Sequence, residues 1–126
     1  MANILCVDDD PEAVALKQNI LEAAGHAVTP CVSLHQALLE LDRCTFDAVV
    51  TDWRLGEGVG RTIIERAKSH AHVPVIVVSG FVTEAFQAAA PLADLYLEKP
   101  IDPQELVSML DTLLRGRPRN SIPSAR

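Results

Sequence analysis

Asn3-Ile4-Leu5-Cys6-Val7-Asp8-Asp9-Asp10-Pro11 decides the architecture of this 126-residue chain. Four contiguous apolar residues, Ile4 to Val7, suit a strand buried on both faces; a half-solvated strand would alternate. Three carboxylates and a proline then end it. Asp10 is positioned to cap a helix, and Pro11 suits the first helical turn, where an amide hydrogen has no partner to lose. The helix predicted over Pro11–Ala24 stops before Gly25, which tolerates the left-handed backbone of a helix terminus. An apolar strand running into a capped helix is the first half of a βαβ unit, whose parallel strands need helices on both faces.

The same unit recurs along the chain. Strands are predicted at Ala27–Cys31, Asp47–Thr51, Pro74–Val78 and Asp94–Leu97. Helices are predicted between them and after the last. Ser33 caps one in which Leu34, Ala37, Leu38 and Leu41 share a face. The others are Gly60–Ser69 (Ile63, Ile64 and Ala67 inward), Thr83–Ala90, and Pro103–Leu114 with Leu106, Met109, Leu110 and Leu113 on one side. Right-handed crossovers leave few topologies. The expectation is an α/β, flavodoxin-like, doubly wound five-stranded parallel sheet in the order 2-1-3-4-5 with five helices. Its ligand crevice lies beyond the carboxyl ends of the first and third strands.

Composition sets the outer bounds. At 48% hydrophobic and 22% charged residues the chain can pack a core, and its length suits one domain. A net charge of −6 opposes binding to a phosphate backbone. Cys6, Cys31 and Cys44 have no close-pair spacing and suit free thiols in a reducing compartment. The longest apolar run, Val73 to Val82, is broken by Pro74, Ser79 and Gly80 and falls short of a membrane span. No basic-then-apolar secretory leader is present in the first residues. The expectation is a cytoplasmic protein touching neither nucleic acid nor membrane. Residues 1–115 form the domain, and residues 116–126, with three further arginines and no acid, form a flexible basic tail.

The topology gathers charge at one edge. The first strand ends in Asp8-Asp9-Asp10 and the third in Asp52, and these strands are neighbours. Packed carboxylates must protonate or take a cation, and oxygen donors without His or Cys suit Mg2+ or Mn2+. The fourth strand ends in Ser79-Gly80, the fifth in Glu98-Lys99-Pro100. A carboxylate, a metal, an ammonium and a hydroxyl in one crevice form a phosphoryl-binding set. Taken singly, the aspartates are equally a solvated turn with a cap, Ser79 a turn residue and Lys99 a solvated amine. Their arrival at one end of one sheet favours a site.

In these residues the chain resembles the response-regulator receiver domains of two-component signalling, the CheY-like fold. The matching elements are Asp8-Asp9, Asp52, Ser79-Gly80 and Tyr96-Leu97-Glu98-Lys99-Pro100, in order, and the resemblance covers about residues 2–115. It implies that Asp52 is the phosphoacceptor. Asp9 would hold Mg2+ directly, Asp8 largely through water, and the backbone carbonyl of Arg54 would be a further ligand. Ser79 and Lys99 would bind phosphoryl oxygens, Tyr96 would be the switch aromatic, and Lys99-Pro100 would be cis.

The implied reaction is Mg-dependent transfer to Asp52 from the phosphohistidine of a sensor kinase or phosphotransfer protein, or from a small phosphodonor. Ser79 and Tyr96 would couple it to the face made by the fourth predicted helix, the fifth strand and the last helix, where a downstream protein docks. The chain would be a signalling phosphoacceptor with self-phosphorylation and autodephosphorylation chemistry, not a turnover enzyme. It would be a monomer or weak dimer, and a stand-alone receiver in preference to one cut from a hybrid histidine kinase. Two rivals stand beside this reading. One is a haloacid-dehalogenase-like phosphatase with Asp8 as nucleophile; the other is an interaction module that is never phosphorylated.

The sequence also departs from the family pattern. Gly56 stands where Pro is common. Gly56, Gly58 and Gly60 predict a mobile loop at the site's rim, without the Gly-Lys-Ser/Thr of a nucleotide loop. Ser79 replaces the frequent Thr, Ile101 the frequent Phe, and Arg54 would overhang the acceptor and affect the lifetime of its phosphoryl group. Trp53, the one tryptophan, is expected on the rim as a reporter of the site. His70 and His72 lack a third ligand and read as loop residues.

Overall fold

The computed structural model describes residues 2–55, 60–71, 73–80 and 93–116. Among the described residues, five strands and four helices follow in the order β1 (Asn3–Val7), α1 (Pro11–Ala23), β2 (Ala27–Cys31), α2 (Leu34–Arg43), β3 (Ala48–Thr51), α3 (Arg61–Ala71), β4 (Val75–Ser79), β5 (Leu95–Glu98) and α4 (Pro103–Gly116). The sheet is parallel throughout, in the order β2-β1-β3-β4-β5. This is the expected topology. Four of the five expected helices are described; the helix predicted over 83–90 and residues 117–126 lie outside the described residues. Gly116, assigned by sequence to the tail, closes α4.

Local chemistry accounts for the helix ends. The Asp10 carboxylate accepts the amide of Glu12 at 3.0 Å, and the Ser33 hydroxyl accepts that of Gln36 at 3.0 Å. Each satisfies an amide that the first turn leaves unpaired. Gly25 follows α1 at φ +97°, a conformation a Cβ would oppose.

The two-residue period of the strands sorts the core into layers. Leu5, Val7, Val49, Val75 and Val77 pack with Ala37 and Leu41 of α2 and with Ile63, Ile64 and Ala67 of α3. Ile4, Cys6, Ala48, Val50, Ile76 and Val78 pack on the other face with Val14 and Leu21 of α1 and Leu106 and Leu110 of α4. Each fully buried Leu or Ile contributes about 1.5–3 kcal/mol from water exclusion. Both layers pack on the central strands β1, β3 and β4.

At the edge, β2 carries Pro30 opposite Cys6. The neighbouring Cys31 carbonyl points to β1, accepting the Asp8 amide at 3.1 Å. Backbone polar groups alternate sides along a strand, so Pro30 faces outward and removes no bond from the ladder. Among the described residues, no helix is long and apolar enough to cross a membrane.

Candidate functional site

Register assembles the acidic residues. Val7 pairs with Thr51 across β1 and β3, so Asp8 and Asp52 emerge side by side from adjacent strands. Their backbones are tied there, the Asp52 amide donating to the Val7 carbonyl at 2.9 Å. Asp8, Asp9 and Asp52 each bring one carboxylate oxygen to within 4.8 Å of the others. Asp8 and Asp52 are buried, at 1% and 7% exposure, while Asp9 faces solvent. The three positions named by sequence reasoning thus meet in one pocket.

Lys99 reaches into it from the far side of β4. Its backbone amide donates to the Ser79 carbonyl at 3.1 Å. Its ammonium donates to Asp52 Oδ2 at 2.8 Å and to Asp8 Oδ2 at 3.1 Å. The Lys99-Pro100 bond is cis, as expected. Asp52 Oδ1 accepts the Trp53 amide at 2.6 Å. Ser79 ends β4 one pair away from Lys99, opposite Glu98, and is fully buried. Gly80 beside it is exposed, with open space where a Cβ would stand. Tyr96 is half-buried on β5 and packs against the layer that α2 and α3 cover. The exposed Arg54 lies two residues beyond Asp52.

Two neighbouring aspartates are driven in opposite directions. Burial pushes the Asp8 carboxyl up, but the Lys17 ammonium, the Asp10 amide and Lys99 outweigh it and hold the pKa below its ordinary value. Asp9 is raised, by desolvation first and then by the charges of Asp8 and Asp52. The Lys99 pKa is raised: burial works against its charge, and the two aspartates overcome that. The donor set is all carboxylate oxygen, with one exposed member whose ionised form Lys99 only partly supports. That is the chemistry a hard divalent cation such as Mg2+ or Mn2+ fits.

Sequence reasoning missed Lys17. It is 2% exposed, and its ammonium donates to Asp8 Oδ2 at 2.9 Å. The signal was its place on α1: Val14, Lys17 and Leu21 fall on one stripe, and both apolar members are buried. Gly60 was read as part of a mobile loop. It is buried, its amide donates to the Trp53 carbonyl at 2.6 Å, and a Cβ there would stand 2.6 Å from the Asp52 carbonyl oxygen. Close approach is what the glycine supplies. Gly56 and Gly58 lie outside the described residues. Trp53, expected on the rim, is 2% exposed and packs in the core with Leu55, Ile63 and Ile64. His72 and the side chain of His70 also fall outside the described residues.

Residues 4–111 match the family model of the response regulator receiver domain. The chain belongs to the response regulator receiver family. This receiver is 31% identical over 115 residues to the transcriptional regulatory protein ZraR of Salmonella typhimurium, and 31% over 116 residues to the transcriptional regulatory protein GlrR of Escherichia coli K12. The matches take in 89% and 90% of the receiver but 26% of each relative, so it spans about a quarter of their length. Among solved structures it superimposes on a putative response regulator from Chloroflexus aurantiacus, with TM-score 0.81 and 28% identity over 90% of this chain and 98% of that one. A CheY-like receiver from Methanospirillum hungatei shares the fold at TM-score 0.82 and 24% identity, over 92% and 95% of the two chains. So does the receiver domain of the sensor histidine kinase PA1611 from Pseudomonas aeruginosa, solved with a magnesium ion in its active-site cleft, at TM-score 0.80 and 24% identity over 90% and 98%. Membership makes the chain a phosphoacceptor module of two-component signalling.

Proposed function

We propose that residues 1–115 form a receiver that accepts a phosphoryl group on the Asp52 carboxylate from the phosphohistidine of a sensor kinase or phosphotransfer protein. The observation that carries this reading is the Lys99 bridge to Asp52 and Asp8 beside the three converging carboxylates. An Asp52 oxygen forms the new bond to phosphorus as the phosphorus–nitrogen bond breaks, and its electron pair leaves with the imidazole. A divalent cation held by Asp9, Asp52 and the Arg54 carbonyl, with Asp8 acting largely through water, would offset charge on acceptor and phosphoryl group. Lys99 is already drawn to Asp52 and needs only a small movement to meet the added oxygens. The Trp53 amide fixes the rotamer of Asp52.

Ser79, buried at the end of β4, is the hydroxyl that would follow the phosphoryl group. Tyr96, half-buried on β5, is the ring whose inward turn would carry the change to the surface of β5 and α4, a population shift between two states. A downstream protein in the cytoplasm would read that surface. The rival reading, with Asp8 as a phosphatase nucleophile, is disfavoured by its surroundings: two ammoniums occupy Oδ2 and the Asp10 amide occupies Oδ1.

Incubation with Mg2+ and acetyl phosphate, read by intact mass, tests the proposal. The expected result is one hydroxylamine-labile phosphate on the wild type and none on Asp52→Asn. Undiminished labelling of Asp52→Asn would refute it.

A further inference from the structure

Lys17 is the charge in this pocket that the phosphoacceptor reading does not use. It sits on the buried stripe of α1, between Val14 and Leu21, with 2% of its side chain exposed. Its ammonium lies 2.9 Å from Asp8 Oδ2, the oxygen that Lys99 also reaches at 3.1 Å. Two cations therefore share one carboxylate oxygen, and the remaining oxygen accepts the Asp10 amide. The two lysines differ in freedom. Lys99 is one-third exposed and can swing away as an ion or a phosphoryl group arrives. Lys17, only 2% exposed, leaves a desolvated ion pair behind if it moves from Asp8.

We propose that Lys17 is a resident cation of the acidic pocket, which weakens its hold on divalent ions and pins Asp8 in one orientation. The proposal rests on the metal-assisted phosphoacceptor reading above and concerns how strongly that site takes its ion. With Lys17 present, three carboxylates face two ammoniums, one of them almost fully buried. A divalent ion entering meets a pocket one charge less negative than it would be without Lys17. At these separations one buried charge changes ion affinity by about tenfold or more. Lys17 also occupies the Asp8 oxygen, so Asp8 can meet the ion only through its other oxygen or through water. The pocket is thereby set to fill at high rather than low Mg2+, and phosphoryl acceptance follows the ion concentration over a correspondingly higher range.

Lys17→Met keeps the length of the buried stem and removes the charge, Lys17→Gln removes the charge but keeps a hydrogen-bond donor, and Lys17→Arg keeps the charge. Mg2+ titrations of each, read by Trp53 fluorescence and calorimetry at fixed pH and ionic strength, test the proposal. Both neutral variants are expected to bind Mg2+ about tenfold more tightly than the wild type, and Lys17→Arg no more tightly. Structural damage would weaken binding, so a gain in affinity is diagnostic, and the Gln variant keeps the test open if the Met variant does not fold. Unchanged or weaker binding by the folded neutral variants, or equal tightening by Lys17→Arg, would overturn the assignment while wild-type labelling of Asp52 leaves the phosphoacceptor reading standing. If neither wild type nor variants bind Mg2+ and Asp52 accepts no phosphate, the underlying reading fails with it.

Discussion

A Cβ added to Gly60 would stand 2.6 Å from the carbonyl oxygen of Asp52. That oxygen already accepts the Thr51 hydroxyl at 2.9 Å, and the Gly60 amide holds the next carbonyl, that of Trp53. The peptide beneath the acceptor is thus clamped by its own strand and by the start of α3. Gly60→Ala must shift backbone, not a flexible side chain. We expect a loss of about 1–3 kcal/mol in urea unfolding and at least tenfold slower phosphorylation, since small misplacements of reacting groups are costly. Wild-type rate and stability in this variant would contradict the clamp.

Asp8 should prove essential to the fold itself. Asp8→Asn leaves the Lys17 ammonium buried beside a neutral amide, and such stranded charges cost about 3–5 kcal/mol. The pH dependence has a definite sign. Because the native pKa of Asp8 lies below its ordinary 3.8, its ionised form contributes stability that is complete above that value and is lost as pH falls toward the lowered one. Acid titration of unfolding free energy should show a steep limb below pH 3.8 that is shallower in Asp8→Asn.

Asp9 should behave in the opposite way. Its native pKa is raised, so ionising it opposes folding, and the penalty grows as pH climbs from the unfolded value through the native one. Without divalent ions, Asp9→Asn should melt about 1–3 °C above the wild type at neutral pH, a modest gain because the group is exposed. Millimolar Mg2+ should raise the wild-type melting point and leave the variant unmoved. A wild-type protein indifferent to Mg2+ would count against the site.

The three thiols should separate cleanly. Burial pushes Cys6 up to about 12 and Cys31 up to about 11, whereas Cys44 is exposed beside Glu40. Thiolate is the reactive form. At pH 8 a disulfide-exchange reagent should consume Cys44 quickly, with Cys6 and Cys31 following only on unfolding. Rapid native titration of all three would show that the core opens readily.

The sheet order and the meeting of Asp8, Asp9 and Asp52 were legible because their cues are local, although the pairing of β1 with β3 that joins them is not. Contiguous apolar runs mark the strands, and each aspartate lies within two residues of a strand end, so the register carries them together. Lys99 followed by the same rule. Lys17 was hidden because a lysine on a helix reads as solvated unless the whole stripe is weighed. Trp53 was placed on the rim because its neighbour is the acceptor, yet successive backbone positions point opposite ways, and its ring turns into the layer under α3. Gly60 carried no visible cue, since its partner is another residue's carbonyl, brought close only by the turn into α3.

The proline on the outer margin of β2 bears on how this molecule behaves in a crowded solution. An open parallel sheet offers a ladder of amides on which a neighbouring copy could polymerise, and β2 is short of apolar cover, with only Cys31 buried. Pro30 removes a donor from that ladder where it would be most usable. Replacing it with valine should turn a blunt border into an adhesive one, seen as concentration-dependent aggregation in light scattering with little change in Asp52 labelling.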